Sequence, residues 1–188
     1  MQSILDRTYY EFNRFNFKII LLSWLGFIGF DLFLHAGLLA KLYHEDNPAI
    51  LPPLDAFYLI PVGYFAFFLY CVFLYWLILT TKISDRIAII KFSVMVGVFL
   101  GIASTLAQVS ILQVNELLLI GWGIGFIIEI FIAGTIIAYA LTGYSHKKLF
   151  YLVILFDFAL FIITVVMQNI GLAPPLETAL KISFKSYF

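Results

Sequence analysis

Asp31, His35, Glu129 and Asp157 stand inside long apolar stretches of this sequence. A charged side chain at the centre of a bilayer costs about 2.5–3.5 kcal/mol on insertion scales, so such residues face a bundle interior and pair, bind ions or carry protons. Asp31 and His35 are four apart and so share one helix face, where a carboxylate and an imidazole can pair. Histidine is the side chain that ordinarily exchanges its proton near neutral pH. A carboxyl group can hold a proton or ligate a cation. Asp31, His35 and Glu129 are therefore candidates for an ion or proton site, with Asp157 a further candidate. Each also has a purely structural role open to it, because a neutral carboxyl group can hold two helices together through one hydrogen bond.

Other chemistries leave no trace. The sequence contains no nucleotide-binding glycine loop, nucleophile elbow, HExxH or CxxC. The lone Cys71 cannot form an internal disulfide, and no Cys/His spacing matches a structural zinc site. His44 and His146 fall in loops expected at opposite faces, so they cannot join His35 around one metal ion. The residues name no metal and no cofactor. Eleven Lys and Arg balance eleven Asp and Glu, which removes the basic excess expected of a nucleic-acid binder.

The elements that must carry these residues are membrane helices. Of 188 residues, 63% are hydrophobic and 12% charged, with a mean hydropathy of +1.05, far outside the range of soluble domains. About 20 apolar residues cross about 30 Å of hydrocarbon. Five segments qualify, roughly 19–43, 57–81, 87–113, 117–142 and 149–171, which predicts an all-α integral membrane protein. Residues 1–18 form an aromatic and basic interfacial segment, 19–171 the five-helix transmembrane domain, and 172–188 a tail or a short surface helix. Arg7, Arg14, Lys18, Lys82, Arg86, Lys91, Lys147 and Lys148 fall on one face of a five-span topology, and only Lys41, Lys181 and Lys185 on the other. The positive-inside rule then puts the N-terminus in the cytoplasm and the C-terminus outside, in a cell or inner membrane. The outer loop 44–56 is acidic and carries Pro48, Pro52 and Pro53, residues unsuited to a helix interior.

Two alignments suggest an internal repeat. Trp24, Asp31 and Phe33 of WLGFIGFDLFLHAGLLA match Trp122, Glu129 and Phe131 of WGIGFIIEIFIAGTIIA, and FYLIPVGYFAFF of span 2 matches FYLVILFDFALF of span 5. With an odd number of spans between their starts, spans 1–2 and 4–5 would form an inverted repeat around span 3, an arrangement that places sites near the midplane. Chance matching among 21 Phe residues is the competing explanation. Small residues recur at intervals of four, Gly121 and Gly125 leading to Glu129 in span 4, and Ser93, Gly97 and Gly101 in span 3. Such stripes let helices approach closely. Span 3 is accordingly expected at the centre.

Three function classes fit these features. One is a proton- or cation-coupled transporter or channel using Asp31, His35 and Glu129. A second is an accessory or structural subunit of a larger membrane complex or homo-oligomer, its Phe-rich spans contacting lipid, quinone or pigment and His35 a conceivable axial ligand. The third is an enzyme that protonates an isoprenoid-type lipid with a neutral buried acid. The lipid bilayer is the partner common to all three.

Overall fold

The computed structural model describes residues 16–44, 49–51 and 53–174. The segment 1–15, residues 45–48 and the tail from 175 lie outside the described residues, so the interfacial segment and the surface helix do too. Helix α1 covers Phe17–Phe33 and runs into a π-helical turn at Leu34–Leu38, followed by a 3₁₀ turn at Leu42–His44. Helices α2 (Pro53–Thr81), α3 (Arg86–Ile111), α4 (Glu116–Leu141) and α5 (His146–Asn169) complete the described chain. Among the described residues there are five helices long and apolar enough to cross a membrane, and no strand. The chain is an integral membrane protein of multi-pass helical type.

Local chemistry explains the boundaries. Asn16, Asp85 and Asn115 accept backbone N–H groups of Lys18, Ala88 and Leu117 at 3.1, 2.8 and 2.8 Å, satisfying donors that the first helical turn leaves free. Gly143, at φ +86°, supplies the left-handed residue of the α4–α5 turn. Inside the helices, Ser93, Thr105 and Thr164 hydroxyls donate to the carbonyls four residues earlier at 2.8–2.9 Å, as polar groups in hydrocarbon must find internal partners. Sequence placed the outer loop as far as residue 56, but α2 already begins at Pro53. Proline is suited to a first helical turn, where its missing N–H has no helical partner to lose.

The centre of the bundle is not span 3. Half of the most apolar window of α1 and of α4 is buried, against 22% for α2 and α3 and 11% for α5. Helices α1 and α4 pack antiparallel: a Cβ placed on Gly121 would meet Leu39, one on Gly125 would meet Leu34, and one on Gly26 would meet Ile136 and Ile132. The opposite side of α4 receives α3, through Ser93 on Gly134, Gly97 on Ile130 and Ile127, and Gly101 on Ile127 and Gly123. The small residues of span 3 mark a contact face. Span 4 carries small residues on both sides, and for that reason it, with α1, occupies the middle. Helices α2 and α5 flank α1.

Candidate functional site

Two apolar clusters fill the interior. The larger joins Ile20, Phe27, Leu74, Tyr75, Ile78, Ile130 and Ile137, and the smaller joins Phe30, Leu34, Leu39 and Leu118. Asp31, between Phe30 and Leu34 on α1, and Glu129, beside Ile130 on α4, are buried against them. The register that sets Leu34 on Gly125 and Gly26 on Ile132 brings Asp31 level with Glu129.

Asp31 is the end of a chain of hydrogen bonds. Its Oδ1 lies 3.2 Å from His35 Nε2, and His35 Nδ1 is hydrogen-bonded to the Tyr43 hydroxyl. Trp122 Nε1 donates to that same hydroxyl at 2.6 Å. Tyr43 lies beyond the membrane-spanning part of α1, and burial pushes its hydroxyl well above the ordinary phenol range. It therefore keeps its proton. With its oxygen accepting from Trp122, the Tyr43 O–H donates to His35 Nδ1, and the Nε2–H of that tautomer donates to Asp31. Every bond then points the same way, from Trp122 to Asp31. Tyr64, on α2, stands near Asp31, and its backbone carbonyl accepts from Trp24 Nε1 at 2.7 Å.

The two sides of this polar layer differ. His35's side chain is 37% exposed and lies toward the end occupied by Tyr43. Toward the other end Phe27 stacks on Phe67 with ring centroids 4.6 Å apart, and Phe126 meets Phe27 at 6.3 Å and Tyr70 at 4.9 Å. Of these rings, Phe27 stands one turn before Asp31 on α1, toward the basic end of the bundle.

Asp157 stands apart. Its carboxyl group packs on Gly29, where a Cβ would collide with it. Gly29 precedes Asp31 by two positions, about 200° around the helix, so Asp157 occupies the α1–α5 contact and Asp31 the α1–α4 contact. Both Asp157 carboxyl oxygens are buried with no hydrogen-bond partner.

Sequence reasoning missed Tyr43 and Tyr64, and it used Trp122 only as a repeat marker. Tyr43 is eight residues from His35, two turns or about 12 Å along a regular helix. The π-helical turn and the 3₁₀ turn fold the chain back and close that distance, and no periodicity announces such a fold. Both His35 ring nitrogens are engaged within the protein. Among the described residues no group of three His, Cys, Asp or Glu side chains could hold a metal ion.

These features define a polytopic helical membrane protein with two buried carboxyl groups, Asp31 and Glu129, on its two central helices, the first of them beside a part-exposed imidazole. The chain matches no protein-family model, and comparisons with characterised proteins and with solved structures find no match either.

Proposed function

We propose that this chain is a small proton- or cation-coupled transporter or channel whose coupling site is Asp31, His35 and Glu129. The observation that carries the reading is the one-way chain of hydrogen bonds from the half-buried Tyr43 through His35 to Asp31, level with Glu129. Two carboxylates at one level of two packed helices, in a medium of low dielectric, cannot both be ionised cheaply. A single proton or a cation bound there relieves the repulsion, and His35 delivers or removes that proton from the side of Tyr43. Passage to the other side requires the Phe27, Phe67 and Phe126 rings to part. The π-helical turn that carries His35 is a natural place for α1 to change its bonding, since such turns are rare and frequent at functional sites.

The end with Lys18, Lys82, Arg86 and Lys147 is the cytoplasmic one in this reading, by the positive-inside rule, so the site opens to the outside. The proposed inverted repeat draws support from Asp31 and Glu129, aligned in sequence and level in the bundle. It draws none from the flanking helices, since α2 lies against α1 far more closely than α5 lies against α4.

The test is flux in proteoliposomes holding this chain alone, read with an internal pH indicator after an imposed proton gradient. Asp31→Asn and Glu129→Gln keep the side-chain shape, and each is expected to reduce flux to that of empty liposomes without lowering the melting temperature. Unchanged flux in both variants would overturn the reading. So would the absence of flux from the parent chain, and co-purifying protein chains or turnover of a lipid would then favour the subunit or the enzyme.

A further inference from the structure

Helices α1 and α5 start at the same end of the bundle and run parallel, with Gly26 against Val153 and Gly29 against Asp157. At that end an open cleft of about 470 Å³ lies between them, within the range of about 300–1,000 Å³ typical of small-ligand sites. Its deep wall is apolar and includes Leu22, Leu25 and Phe150, while Lys18, His146 and Lys147 stand at its mouth. Among the described residues no carboxylate lines it. The mouth coincides with the first turns of both helices, where the helix dipoles add positive potential. The Ser145 side chain makes no capping hydrogen bond there.

An occupant must therefore be amphiphilic and anionic. It places a negative group among Lys18, His146 and Lys147 at headgroup level and lays a hydrocarbon chain between α1 and α5. A soluble anion would leave the apolar wall bare, and an uncharged lipid would leave the basic mouth without a counter-charge. We propose that this cleft is a binding site for one anionic phospholipid, its phosphate held by Lys18 and Lys147. Basic pockets between transmembrane helices bind acidic headgroups in this way. The site lies apart from Asp31, His35 and Glu129, and it does not depend on the transport reading.

The full chain in nonionic detergent, titrated with phosphatidylglycerol or with phosphatidylcholine of the same acyl chains and followed by native mass spectrometry, tests this. Phosphatidylglycerol is expected to bind at least tenfold more tightly. Lys18→Gln combined with Lys147→Gln should lower its affinity about tenfold or more and leave phosphatidylcholine unaffected. Both lysines are exposed, so the melting temperature should hold. Lys82→Gln, at the same end but outside the cleft, should leave the preference intact. Leu25→Trp, which fills the cleft, should weaken both lipids alike. Glycerol 3-phosphate, a headgroup without chains, should displace nothing. Equal affinity for the two lipids in the parent chain would overturn the proposal. A loss with Lys82→Gln as large as that of the double variant, or displacement by glycerol 3-phosphate, would overturn it as well.

Discussion

Tyr43 links a loop to the interior through one oxygen. Its hydroxyl accepts from Trp122 and donates to His35, so removing it leaves two partners unpaired at once. An orphaned buried polar group costs about 1–3 kcal/mol. Tyr43→Phe is therefore expected to destabilise the detergent-solubilised protein by about that amount. Adding Trp122→Phe should recover part of the loss, since the orphaned indole N–H goes with it. A thermodynamic double-mutant cycle checks this, and the expected coupling is about 0.5–3 kcal/mol. Strictly additive losses would mean that the Trp122–Tyr43 bond contributes nothing. Asp157 presents the reverse case. Its carboxyl oxygens are buried without partners against Gly29, so its burial is a cost that no bond offsets. Asp157→Ala is expected to leave the melting temperature unchanged or raised. A clear fall would show that the carboxyl group has a partner in the membrane.

At the scale of helices, association in lipid gains little from the hydrophobic effect, because lipid tails are as apolar as leucine, and depends on close packing. The α3–α4 pair shows what that requires. A Cβ on Gly101 would stand 2.7 Å from Ile127 Cγ1 and 3.0 Å from the Gly123 carbonyl oxygen, of which the second is backbone and cannot swing aside. Gly101→Leu should force α3 away from α4 and cost about 1–3 kcal/mol, the usual range for overpacking. Phe99→Leu, at a side chain 76% exposed, should cost much less. The two melting temperatures, measured in the same detergent, decide the matter, and equal values would mean that α3 does not depend on this contact. The Asp31 site should survive Gly101→Leu better than a change on the α1 side of α4, because α3 and α1 lie on opposite sides of that helix. Flux from the variant at a temperature where it remains folded tests this.

For the whole molecule, five spans and a basic end make an orientation that can be measured. Lys18, Lys82, Arg86 and Lys147 lie at or near the starts of the odd-numbered helices and their connecting turns, hence at one end. In a Cys71→Ser background, Ala49→Cys should react with a membrane-impermeant thiol reagent added to intact cells. Lys147→Cys should react only after permeabilisation. Cys71 itself is fully buried and should label slowly from either side. Equal labelling of both introduced cysteines from outside would contradict the five-span topology.

The sequence by itself determined the number of helices and which residues are anomalous. Both are local properties: a membrane helix satisfies its own backbone hydrogen bonds, and the hydrocarbon thickness sets its length. The polar residues Asp31, His35, Glu129 and Asp157 stood out against the apolar runs for the same reason. Only the tertiary structure decided which of them meet. These helices are apolar on all sides, so no amphipathic stripe points toward the interior. The small-residue stripe of α3 identified a contact face without naming α4 as its partner, and span 3 was accordingly expected at the centre instead of at the side. Asp157 is separated from Asp31 by the turn of α1 between Gly29 and Asp31, and Tyr43 reaches His35 through an irregular reversal of the chain. Both relations depend on how helices and turns are set against one another in space, through shape and hydrogen bonding between residues distant or aperiodic in sequence, and spacing along the chain carries no record of them.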